Sequence, residues 1–132
     1  MLDELPSEGH AWTLMTPVRR SEFGFFVDRK RMRLVCTKAT RWEYDARAVQ
    51  HLYEMLKARG DWMALGSRDR TSAPPQGSVE AWARSPANPI RGFYGQTLGR
   101  EGRFGSFLPP VLEHLKRAEF RRLQRNVEMR TV

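Results

Sequence analysis

The sequence predicts an α+β fold: an N-terminal antiparallel meander packed on one main helix, then loops, a short helix and a C-terminal β-hairpin. Three observations predict it. Apolar residues alternate with period two from Glu22 to Tyr44, the period changes to helical spacing after Asp45, and alternation returns after Ala118.

Residues 1–11 hold Pro6, Ser7 and Gly9, which interrupt any period, and read as a flexible lead; residues 12–132 read as one α+β domain. In EFGFFVD, from Glu22, the side chains of Phe23, Phe25 and Val27 share one face, with Gly24 and Phe26 on the other. Asp28, Arg29 and Lys30 form a polar turn into RMRLVCTK, where Met32, Leu34 and Cys36 alternate with Arg31, Arg33, Val35 and Thr37. TRWEY sets Trp42 and Tyr44 against Arg41 and Glu43, so a three-stranded antiparallel meander is expected.

Asp45 has the chemistry of a helix N-cap, and Val49, Leu52, Tyr53 and Leu56 recur at helical spacing until Gly60 supplies a stop. DWMAL, from Asp61, returns to the core as a strand or extended stretch. GSRDRTSAPPQG, residues 66–77, is an exposed loop by its breakers. Ser78 caps a short helix carrying Val79 and Trp82. From Pro86 to Gly105 no period survives, and loops or very short strands are expected. Pro109 and Pro110 suit the first turn of a helix, where a missing N–H costs little, and Val111, Leu112 and Leu115 give it an apolar stripe. In the closing hairpin Phe120, Val127 and Met129 share the buried face. Trp42, Tyr44, Leu52, Leu56, Trp62, Trp82, Leu112, Leu115 and Phe120 are the expected core.

The 132 residues carry 23 basic and 15 acidic side chains, a net charge of +8, most of it in the second half. Arginine dominates the excess, and its planar fork suits phosphate and carboxylate groups. Cys36 is the only cysteine, so no internal disulfide forms and a reducing, cytoplasmic setting is expected. The opening MLDELPSEGHAW is acidic and polar where a secretory signal needs a positive region before an apolar run, and no segment has the apolar length of a membrane span.

Four strings, GDWMALGS from Gly60, SVEAWARSPANPIRGFYG from Ser78, GRFGSFLPPVLEHL from Gly102 and the closing RNVEMRTV, resemble a family of small bacterial proteins of unknown function. YDARA at Tyr44 extends the likeness. The resemblance implies a bacterial or phage-type domain and transfers no activity, cofactor or site residue.

Chemistry concentrates first between Arg91 and Phe107, where Arg91, Arg100 and Arg103 interleave with Phe93, Tyr94, Phe104 and Phe107 among glycines. Bases stack on aromatic rings while arginines take phosphate, so single-stranded nucleic acid is a candidate ligand. The plainer reading makes the aromatics core anchors. Gly99-Arg100-Glu101-Gly102 has the form of a G-x-x-G clamp without the flanking helices that one needs, and no lysine followed by Ser or Thr closes a phosphate loop. A second basic group, Lys116, Arg117, Arg121, Arg122, Arg125 and Arg130, follows the short helix, as in a winged-helix reader of duplex DNA. Glu113 and His114 make that helix a poor reader, and a solvated hairpin explains the charge equally. A third group, Arg29, Lys30, Arg31 and Arg33 with Arg19, Arg20 and Arg41, is typical of edge strands that block aggregation.

Catalysis finds little in the sequence. His10, His51 and His114 lack metal-ligand spacing, Cys36 alternates with apolar neighbours, and no G-x-S-x-G elbow occurs. The expectation is therefore a basic, non-catalytic accessory domain without cofactor, binding nucleic acid through Arg91, Tyr94, Arg100, Arg103, Phe104, Arg121, Arg122 and Arg125. The alternative is an interaction or oligomerisation module that uses a hairpin edge or the aromatic loop against an acidic protein partner.

Overall fold

The computed structural model describes residues 1–132. The meander has one strand more than expected: β1 (Trp12–Met15), β2 (Glu22–Asp28), β3 (Arg33–Lys38) and β4 (Thr40–Asp45) pair antiparallel in chain order. Its register aligns Trp12, Phe25, Cys36 and Trp42 in one row and Val27, Leu34 and Tyr44 in another. Period two thus puts these apolar residues on one side of the sheet, while Phe26 and Val35 pair, also buried, on the other. β1 has only the four residues WTLM, too few for alternation to stand out.

α1 (Ala48–Arg59) buries Ala48, Val49, Leu52 and Leu56. Asp45 does not cap it directly; the carboxylate accepts the Arg47 N–H at 2.9 Å and closes the turn that leads in. Gly60, at φ 69°, takes the left-handed conformation that ends the helix, its N–H donating to the Leu56 carbonyl.

A second sheet joins β5 (Met63–Ala64), β7 (Val127–Thr131) and β6 (Ala118–Arg122) in that spatial order, so DWMAL supplies an edge to the expected hairpin. Between them lie α2 (Val79–Trp82), α3 (Phe104–Phe107) and α4 (Pro109–His114). Ser78 Oγ accepts the Ala81 N–H at 3.1 Å, the expected cap. α3 departs from the expected loop: Phe104 and Phe107 both face the core, a three-residue spacing hidden among glycines. Those glycines serve close approach, since a Cβ on Gly102 would stand 2.6 Å from the Arg70 nitrogen.

One cluster of 25 buried residues runs through both sheets and α1, α3 and α4, so the two sheets share a core. Tyr44, Leu52, Leu56 and Leu112 are at its centre, with Trp42, Trp82, Leu115 and Phe120 half-buried at its margin. Trp62 was expected inside; it is half-buried and stands outside the shared core, with the Arg121 and Arg130 guanidinium groups 4.6 and 4.3 Å from its ring. The lead expected to be flexible is packed: Leu5 is buried, the Val27 N–H donates to the Pro6 carbonyl at 2.8 Å, and Arg29 donates to the Leu2 and Leu5 carbonyls. No helix is long and apolar enough to cross a membrane.

Candidate functional site

A meander sends alternate turns to the same end of its sheet. The β1–β2 turn and the β3–β4 turn therefore stand side by side, and here they face the β6–β7 turn and the start of the 66–77 loop across a cleft of about 630 Å³. Arg19 comes from the first turn, Lys38 from the end of β3 where the second begins, Arg125 from the third, Arg68 from the loop and Arg103 from the residue before α3. No aspartate or glutamate lines this cleft. Arg103 is neutralised by Asp69, Nε to Oδ1 at 2.6 Å, whereas Arg19, Lys38, Arg68 and Arg125 have no carboxylate within ion-pair distance.

The walls between the cations are hydroxyl and apolar. Ser67 and Ser106 hydrogen-bond through their Oγ atoms at 2.6 Å, Thr16 and Thr40 stand at the turns, and half-buried Trp42 lines the wall, its ring 5.4 Å from that of Phe107 between centroids. Two rim residues without a glycine's freedom, Ala39 at φ 57° and Arg103 at φ 58°, occupy the left-handed region. Such strain is retained where surrounding contacts over-determine the backbone. At Arg103 these contacts are explicit: its N–H donates to the Arg68 carbonyl at 2.8 Å, and Arg84 donates to the Arg68, Asp69 and Ser72 carbonyls.

Beneath the loop Glu80 is fully buried and accepts from the Gly105 N–H at 2.9 Å and from Arg84 Nε at 3.1 Å. Burial pushes its carboxyl above the ordinary glutamate range, against the pull of Gly105 and Arg84. Its partners are all internal, which makes it the anchor of the loop.

Of the residues expected to bind nucleic acid, the structure brings Arg103 and Arg125 together and separates the rest. Tyr94 and Phe104 are corrected outright: both are buried, their ring centroids 5.5 Å apart, and the Tyr94 hydroxyl meets His51 Nδ1 at 2.9 Å. Burial raises the Tyr94 pKa, and neither ring is open to a base. Arg91, at φ 62°, and Arg100 lie on turns outside the cleft. Arg121 pairs with Glu128, and Arg122 donates to the Pro17 carbonyl. A winged-helix docking fails as well, because Pro109, Pro110, Val111 and Leu112 of α4 are all buried.

Most other cations are likewise spoken for. Arg31 and Arg41 hydrogen-bond Glu43, Arg47 pairs with Asp45, and Arg117 pairs with Glu4. Arg19, Lys38, Arg68 and Trp42 escaped the sequence reading as a group. The available signal was positional: Arg19 and Arg125 occupy connections between consecutive strands and Lys38 ends the strand before another, and meander geometry stacks two of those connections at one end. No group of three or more His, Cys, Asp or Glu is placed to hold a metal ion. A family model described as a family of unknown function (DUF6855) matches residues 5–132. No curated protein and no solved structure matches the chain.

Proposed function

The chain belongs to that family of unknown function, and on its own geometry we propose a non-catalytic accessory domain that binds single-stranded nucleic acid in the cleft between its two sheets. The observation that carries the reading is the set of four cations without carboxylate partners, drawn from separate segments onto one concave surface that has no acidic lining. Phosphates displace counterions from such a surface, and Arg19, Arg68 and Arg125 offer forked donors to their oxygens. Trp42 supplies a flat apolar face for one base, and the Ser and Thr hydroxyls supply sugar and phosphate contacts.

A single strand fits better than a duplex because the basic residues of the cleft line a recess and none of them lies on a helix that could enter a major groove. The setting we propose is cytoplasmic, where buried Cys36 stays a thiol, its pKa raised by burial. Titration of labelled single- and double-stranded oligonucleotides at low and at moderate salt tests the reading. Single strands should bind at low salt and weaken steeply with added salt, and the Arg19→Glu, Arg125→Glu double variant should lose binding. Absence of binding at low salt, where phosphate-driven affinity is greatest, overturns it.

A further inference from the structure

The two sheets have four outer edges, and two of them are closed. Residues 94–97 run along β4, with the Asp45 N–H donating to the Tyr94 carbonyl at 2.9 Å and the Gln96 N–H to the Glu43 carbonyl at 2.7 Å. On the β5 side the Leu65 carbonyl takes the Glu80 N–H at 3.0 Å. The other two edges, β1 and β6, make no outward backbone hydrogen bond, and they border one groove of about 580 Å³ floored by α4.

The hydrogen-bond phase of β1 can be read from its neighbours. The Thr16 N–H donates to the Ser21 carbonyl and the Val27 N–H to Pro6, so on the β1 side of β2 the odd residues Phe23, Phe25 and Val27 face inward to Leu14, Trp12 and the lead. Antiparallel alternation then turns the N–H and C=O of Thr13 and Met15 out into the groove. Exposed edges are ordinarily defended by charge, proline or a bulge within the strand. Trp12–Met15 has none of these and is limited only by its four-residue length, and Met15 leaves 45% of its surface exposed on the edge itself.

We propose that the β1 edge accepts an extended, acidic segment of a partner protein, which pairs with Thr13 and Met15 and lies between β1 and β6. Main-chain bonds give such strand addition its affinity, and alternate side-chain contacts give it selectivity. Arg20 at the β1–β2 turn lines the groove without a carboxylate partner, and Arg122 on β6, which also donates to the Pro17 carbonyl, adds a second positive charge; together they favour carboxylates on the incoming strand, against one acidic side chain, Glu113. Met15 and Phe120 offer apolar contact to the residues between. This site is separate from the cleft, and its existence does not depend on nucleic-acid binding.

The test uses the full chain, isotope-labelled, with a short fluorescein-labelled peptide alternating valine and aspartate as probe. Its lysine counterpart and a version N-methylated on alternate amides serve as controls. The aspartate peptide should bind, slow amide exchange at Thr13 and Met15, and lose about tenfold in affinity with Arg20→Glu, in line with loss of a close charge pair. Met15→Pro should abolish binding; it removes an outward donor that β2 does not use, so a retained spectrum elsewhere separates lost docking from lost folding. Equal binding of the lysine or N-methylated peptide overturns the proposal, as does protection that maps to the cleft. Self-association by light scattering, with Thr13 and Met15 already protected before peptide is added, also overturns it, since the occupant is then a second copy.

Discussion

The Glu80 carboxylate holds the Gly105 N–H at 2.9 Å in a position where no part of the Glu80 side chain meets solvent. Through that bond α2 fixes the start of α3, and through Arg84 it fixes the loop that carries Arg68. Removal of the carboxylate strands a guanidinium that is itself 10% exposed, together with a buried N–H. Breaking a buried pair in this way costs about 3–5 kcal/mol. Glu80→Ala should therefore lower the urea midpoint markedly, while Glu80→Gln, which retains an acceptor for Gly105, should cost clearly less. Equal losses in the two variants would mean that the Gly105 contact contributes nothing.

Gly95 lies where residues 94–97 run along β4, and a Cβ there would meet the Glu101 carbonyl oxygen at 2.3 Å. The obstacle is backbone and cannot swing away. Gly95→Ala should destabilise by about 1–3 kcal/mol, the ordinary cost of overpacking. Gly92, three residues earlier, has nothing within 4 Å of its Cβ position and serves as the matched control. Denaturant melts of the two alanine variants decide the matter, and similar midpoints would refute the close approach.

Much of the fold was legible because burial on one face forces period two or helical spacing on the residues themselves. Phe23, Phe25 and Val27 could be assigned to the core face from spacing alone, and Gly60 marked the helix end for the same local reason. What was not legible depended on distant partners. Trp62 has the apolar bulk of a core residue, but the groups over its ring are the hairpin's Arg121 and Arg130, far along the chain, and it stays half-buried outside the shared core. Tyr94 and Phe104 sat among arginines and glycines in a way that suited stacked bases, yet tertiary packing turned both rings inward. The cleft was hidden because each segment contributes few charges to it; convergence is a property of sheet ends, which no window of sequence contains.

Acid should expose the Glu43 network. Burial pushes the Glu43 carboxyl up, but hydrogen bonds from Arg41 and Arg31 outweigh it and hold the group below its ordinary value of 4.5. A carboxyl with a depressed folded-state pKa stabilises fully above the unfolded value and loses that contribution as pH falls through the folded one. The thermal midpoint should thus drop as pH is lowered below about 4.5, with Asp45, held down chiefly by its hydrogen bond from Arg47, contributing in the same direction. Glu43→Gln should melt lower at neutral pH and show a shallower acid limb, the two curves converging in strong acid. Parallel curves would remove Glu43 from the account.

The last prediction separates cleft cations from the protein's general charge. Arg125 lines the cleft without a carboxylate partner, whereas Arg130 pairs with Glu119 at 3.0 Å and stacks on Trp62. Both substitutions to glutamine remove one positive charge from the same hairpin, so a nonspecific field effect predicts equal losses. A phosphate contact predicts otherwise: log affinity for a single strand falls with log salt by about 0.7 for each phosphate neutralised. Arg125→Gln should weaken binding across sequences and flatten the salt slope by about that amount. Arg130→Gln should leave the slope unchanged and lower stability slightly, since an exposed pair is worth little. Measured slopes that fall equally in both variants would assign the binding to bulk charge and leave the cleft without a role.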